Sequence, residues 1–296
     1  MLTEKLLLKA VCEGWGMATL DSEIPKAGRP RGSLSDLPGR IAVGAPALAV
    51  VAVAVIVGEA ALAVLLALAA GMAAFEAARL MRDSKDVAIA IGVLSAGVVA
   101  ATAFEDRTAL PVAIVASFGL LVVSTLFEGR ASERVAPVVV GTLCVVWIGG
   151  GLAHGVLLRE LDHGGALVLM VLVGTFVGDT FAHLIGSVWG RTPLAPSISP
   201  NKTVEGLAAG LVGGTGAVVA LALIAEPWLD AAEASVIGLG VAIAAPCGDL
   251  WESAVKREAG VKDTGTLLGA HGGVLDRVDA LLFTVPLGYY LALALL

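Results

Sequence analysis

Long apolar runs separated by short polar breaks set the pattern of this chain from residue 41 onward. The runs fall at about 41–57, 60–80, 87–104, 109–127, 135–158, 164–189, 204–225, 233–255 and 278–296. A bilayer crossing needs about 20 mainly apolar residues, and each run is near that length. The runs are too long and too continuous for barrel strands, and backbone groups in lipid must be satisfied within their own segment. The pattern therefore predicts an all-α polytopic integral membrane protein with about nine transmembrane helices. Only Gly58 and Glu59 separate the first two runs, which predicts a tight helical hairpin. Residues 1–40 read as a flexible polar tail, 41–160 as the N-terminal spans, and 161–296 as the C-terminal region where polar residues gather.

Composition agrees with this reading. The 296 residues are 57% hydrophobic and 15% charged, with a mean hydropathy of +0.91. Soluble domains average roughly 45–50% apolar and about 25% charged. The net charge of −7 gives no reason to expect a nucleic-acid partner. Cys12, Cys144 and Cys247 have no pairwise spacing that suggests a disulfide framework or zinc site. Glu4, Lys5, Lys9 and Glu13 interrupt the first 20 residues, so no cleavable signal is expected. With the N-terminus in the cytoplasm, 17 of the 19 Lys and Arg fall on the inside, all but Arg107 and Arg159. That bias fixes the expected orientation, with the C-terminus outside.

The spans are rich in Ala, Gly and Val. Gly206, Gly210, Gly213, Gly214 and Gly216 resemble a nucleotide loop at a glance, but neither a GK[ST] ending nor a preceding strand accompanies them. Close helix packing is the expected role of these small residues.

Charge within membrane helices is a functional hypothesis by default. Glu76 and Arg79, three apart near a helix end, read as an interfacial pair. The second half is different. Asp179 and His183, in the sixth run, share a helix face. Ser199-Pro200 reads as an N-cap followed by proline in the first turn, with Lys202 at the third position. A cation there opposes the helix dipole unless an anion binds nearby. Asp249, Ser253, and Lys256 or Arg257 recur at helical spacing, and Asp276 and Asp279 share a face at the start of the last run. Three carboxylates converging from two helix ends suit a hard cation such as Mg²⁺. His271-Gly272-Gly273 before a helix offers backbone N–H groups to an anion. Lys256, Arg257, Lys262 and Arg277 supply positive charge for phosphates.

These residues carry a resemblance. The stretch Ser253-x-Val255-Lys256-Arg257-x4-Lys262-Asp263-x-Gly265-x2-Leu268-Gly269-x-His271-Gly272-Gly273-Val274-x-Asp276-Arg277-Val278-Asp279 resembles the signature of the CDP-diacylglycerol synthases, the phosphatidate cytidylyltransferases. Gly178-Asp179 with Ser199 through Gly206 is similar to that family's second motif, and the likeness runs over about 174–296. It implies transfer of CMP from CTP to phosphatidate with release of pyrophosphate, Mg²⁺ dependence with room for a second cation, a homodimer, and an inner (plasma) membrane site facing the cytoplasm. It also implies roles. Asp249, Asp276 and Asp279 become metal ligands, with Asp179 as ligand or support. Lys202, Arg257, Lys262 and Arg277 hold phosphates, and Ser199, Thr203, Ser253, Lys256, His271, Gly272 and Gly273 contact substrate. The rivals are a related CTP-dependent lipid enzyme (a CDP-archaeol synthase or a lipid kinase) and a cation transporter with Asp179, Asp249 and Asp279 as its path.

Overall fold

The computed structural model describes residues 37–81, 84–104, 108–126, 135–225, 228–265 and 272–296. Most of the expected tail and the candidate residue His271 lie outside the described residues.

The apolar runs become helices: α1 (Leu37–Val57), α2 (Glu59–Met81), α3 (Lys85–Phe104), α4 (Ala109–Leu126), α5 (Val135–Cys144), α6 (Gly151–Glu160), α7 (Gly164–Trp189), α8 (Val204–Ala225), α9 (Ala231–Glu258), α10 (Leu275–Val278) and α11 (Leu281–Leu295). One π-helical turn, Val145–Gly150, joins α5 to α6, so Val135–Glu160 forms one long span. Among the described residues, seven helical segments are long and apolar enough to cross a membrane, with two shorter apolar helices at Leu48–Val57 and Ala109–Thr125. The chain is an all-α polytopic membrane protein. The two shorter stretches lie within α1 and α4, the first and fourth of the nine expected spans.

The helices form two groups. In the N-terminal group α2 and α3 lie side by side, with the π turn and α6 packed on them. Ala70, Ala73, Ala74 and Ala77 recur every three or four residues on α2 and are fully buried. In the C-terminal group α7 packs along α8, and α8 along α9. Here the glycines act as expected. A Cβ at Gly206 would lie 2.7 Å from the carbonyl oxygen of Ala182, and one at Gly210 3.0 Å from that of Gly178. Only residues without a Cβ let these backbones come so close. α11 joins the groups, touching α9, α6 and α7, and the hydroxyls of Thr175 and Thr284 lie 3.2 Å apart across that seam.

Two expectations are corrected. First, the segment before α8 is a two-stranded antiparallel hairpin, β1 (Pro193–Ala195) and β2 (Ser199–Thr203). Ser199 is therefore a strand residue opposite Ala195 rather than a helix cap, and Lys202 precedes the helix. Thr203 is the cap, its hydroxyl accepting from Gly206 N–H at 3.1 Å. Proline suits a strand of such a hairpin because both strands are edges. The first turn of α8 holds the hairpin's base: the Glu205 carboxylate accepts from the N–H groups of Arg191 and Thr192 at 3.0 and 3.2 Å and from the Thr192 hydroxyl at 2.9 Å. Second, Glu76 is 6% exposed and faces inward on α2, where its carboxylate meets Leu275 and Thr264.

Candidate active site

The functional side chains meet where α9 ends and α11 begins. On α9, Asp249, Glu252, Ser253 and Lys256 share one face by helical period. Gly248 brings that face against the start of α11: a Cβ there would meet the Asp279 carbonyl and lie 3.0 Å from the Ala280 Cα. Asp249, Glu252 and Asp279 each offer a carboxylate oxygen within 4.8 Å of the others. Glu252 is 1% exposed, and its Oε1 has no hydrogen-bond partner among the described residues. A buried charge without partners is costly. Three converging carboxylates, one with an orphaned oxygen, fit an oxygen-coordinated divalent cation.

Two lysines neutralise part of this charge. Lys256 Nζ lies 2.5 Å from Glu252 Oε2 and 2.7 Å from Asp276 Oδ1, with only 13% of its side chain exposed. Lys202 Nζ reaches from β2 to Asp249 Oδ2 at 2.6 Å. The anion demanded by the position of Lys202 is thus present in the protein itself. Ser253 donates to Asp249 Oδ1 at 3.3 Å.

Asp276 stands one step back from the carboxylate group. Its Oδ1 takes Lys256, and its Oδ2 accepts from the Thr264 N–H at 3.0 Å, the Thr264 hydroxyl at 2.9 Å and the Gly273 N–H at 2.7 Å. The Gly273 N–H, expected to meet a ligand anion, meets this carboxylate instead. Gly272 has φ +80°, and a Cβ there would lie 2.7 Å from Asp276 Oδ2. Glycine is therefore required at this turn by both conformation and space.

The other candidates spread around the rim. Arg257 is exposed and donates to the carbonyls of Ile198 (3.3 Å) and Val261 (3.1 Å), tying the hairpin tip to the end of α9. Lys262 and Arg277 are exposed, Ser199 is half-buried in its strand, and Thr203 is buried in its capping role. Asp179 is exposed on α7. An apolar cleft of about 490 Å³, lined by Leu80, Met81, Trp251, Ala254, Val255 and Glu258, opens on the opposite face of α9, away from the carboxylates.

The sequence pattern marks neither Glu252 nor Glu76 as part of the site. Glu252 lies three residues after Asp249, a spacing that places both on one face. Glu76 lies three residues after Ala73 and one before Ala77, on the buried alanine face of α2.

The profile of the cytidylyltransferase family matches residues 38–295, and the chain belongs to that family. It is 41% identical over 133 residues to a phosphatidate cytidylyltransferase of Thermotoga maritima, covering 43% of this chain and 49% of that protein. It is 43% identical over 160 residues to the chloroplastic phosphatidate cytidylyltransferase 5 of Arabidopsis thaliana, covering 52% of this chain and 37% of that one. An uncharacterized protein of Escherichia coli, YnbB, is 41% identical over 134 residues, 44% of each chain. The matches span about half the length of these curated relatives, or less.

Proposed function

We propose that this chain is a phosphatidate cytidylyltransferase, joining CTP and phosphatidate to give CDP-diacylglycerol and pyrophosphate at the cytoplasmic face of the membrane. The observation that carries this reading is the group Asp249, Glu252 and Asp279, set among Lys202 and Lys256 at the end of an apolar helix bundle. A phosphate oxygen of phosphatidate bonds to the α-phosphorus of CTP, and the bond from that phosphorus to the α–β bridging oxygen breaks, so pyrophosphate leaves. The nucleophile is already an anion, which removes the need for a serine or cysteine nucleophile or a strong base. Such transfers depend on positioning and charge neutralisation.

Asp249, Glu252 and Asp279 would hold Mg²⁺, which, when bound, neutralises charge on the reacting phosphates. The lysines divide the remaining work. Lys256 is buried and clamped by two carboxylates, so it fixes Glu252 and Asp276. Lys202, with 24% of its side chain exposed on a two-stranded hairpin, is the cation placed to meet a substrate phosphate. Lys262 and Arg277 add positive charge at the exposed rim, where an anionic substrate would enter. The apolar exterior keeps the diacylglycerol chains of the substrate in lipid.

CTP labelled at the α- or the γ-phosphate tests the reading against a lipid kinase. With purified protein, phosphatidate and Mg²⁺, the α label is expected in the lipid product and the γ label in pyrophosphate. Transfer of the γ label to lipid, with release of CDP, would replace the reading with kinase chemistry.

A further inference from the structure

Glu76 belongs to the N-terminal half, yet it reaches the start of the helix that carries two of the acidic residues. Its Oε2 accepts the Leu275 N–H at 2.9 Å and lies 3.4 Å from the Thr264 hydroxyl. Thr264 has one hydroxyl proton, and Asp276 is the nearer acceptor at 2.9 Å. The Leu275 N–H is therefore the principal donor to Glu76. Leu275 opens α10, which holds Asp276 and ends at Asp279. First-turn N–H groups have no partner within their own helix, and the N-cap of α10, Val274, makes no side-chain cap. Glu76 supplies that cap from α2.

The surroundings are built around this carboxylate. A Cβ at Gly265 would lie 2.7 Å from Glu76 Oε1, and one at Gly273 would run into Glu76 Oε2 and the Thr264 hydroxyl. From there the polar contacts continue without a break. Thr264 holds Asp276, Asp276 holds Lys256, and Lys256 holds Glu252 of the carboxylate group.

We propose that Glu76 is a positioning residue: by capping α10 from the N-terminal half, it sets Asp279 against Asp249 and Glu252 and keeps Asp276 on Lys256. It is not among the three clustered carboxylates, so it acts only through them. The inference rests on the reading of that group as a divalent-cation site. It also gives the N-terminal spans a part in the chemistry beyond anchoring.

Mn²⁺ binding to detergent-purified protein, followed by loss of the free-ion EPR signal, tests it without turnover. Glu76→Leu removes the acceptor at similar size. It is expected to weaken Mn²⁺ binding about tenfold, the lower end of what loss of a supporting hydrogen bond does to a metal site. Glu76→Gln keeps a carbonyl oxygen for Leu275 N–H and is expected to stay within about threefold of wild type, well short of such a loss. A thermal unfolding transition establishes that each variant is folded. If Glu76→Leu does not fold, Glu76→Met, which also removes the acceptor, takes its place with the same expectation. Wild-type affinity in the folded Leu variant, or in the Met variant in its stead, would overturn the proposal and leave the metal site standing. Failure of the wild-type protein to bind Mn²⁺ would remove the metal site and this inference together.

Discussion

Asp249→Asn and Asp279→Asn are each expected to lower the rate of CDP-diacylglycerol formation by about 10²-fold or more, comparable with removing one strong electrostatic contributor to a transition state. The two residues approach from different elements, Asp249 from α9 and Asp279 from the turn between α10 and α11, and meet Glu252. Each carboxylate removed takes away charge that a hard cation requires, and the phosphates then lose their neutralising partner. Asparagine is nearly isosteric, so the bundle should still fold. If these residues only served helix ends, asparagine would do as well as aspartate. Initial rates with purified, folded variants decide the matter, and near-normal turnover by Asp279→Asn would remove that residue from the site. Glu252→Gln belongs to the same series and should act in the same direction, since its carboxylate lies within 4.8 Å of the other two.

Lys256→Met should be felt first in stability. The lysine lies between two carboxylates, Glu252 with 1% of its side chain exposed and Asp276 with 9%. Removing one member of a buried ion cluster leaves uncompensated charge, and such losses run to about 3–5 kcal/mol. Asp276 keeps its three donors from Thr264 and Gly273, whereas Glu252 already has one oxygen without a hydrogen-bond partner among the described residues. The larger part of the loss should therefore come from Glu252. Unfolding of detergent-purified protein measures the effect, and the double variant Glu252→Gln/Lys256→Met should recover part of it. A Lys256→Met protein as stable as wild type would show that the three groups are not coupled.

Most of the membrane architecture was legible because lipid imposes strict rules: run length, small residues and the absence of alternation all point one way. Gly206 and Gly210 could be read as packing residues for that reason, and the contacts at Ala182 and Gly178 agree. The hairpin at Pro193–Thr203 was not legible, because Ser199-Pro200 and Thr203 are both acceptable helix starts. The choice between them follows from Glu205 binding back to Arg191 and Thr192, a contact fourteen residues away in sequence at its longest. In the site, the acidic and basic residues were recognisable, but their division of labour was not. Asp276 and Asp279 share a face and look equivalent in sequence. Only the turn at Gly272 and Gly273, together with Thr264, shows that Asp276 is held by the protein's own donors while Asp279 is turned towards Asp249 and Glu252. Glu76 also meets Leu275, 199 residues away, a pairing that no local pattern encodes.

The central claim is that this chain itself joins CTP to phosphatidate at a cation-dependent carboxylate site. Pyrophosphate release by the purified protein tests it most directly. The expected result is release that requires both CTP and phosphatidate, stops with EDTA and returns with excess Mg²⁺. Release from CTP without phosphatidate, or full activity in EDTA, would contradict the account.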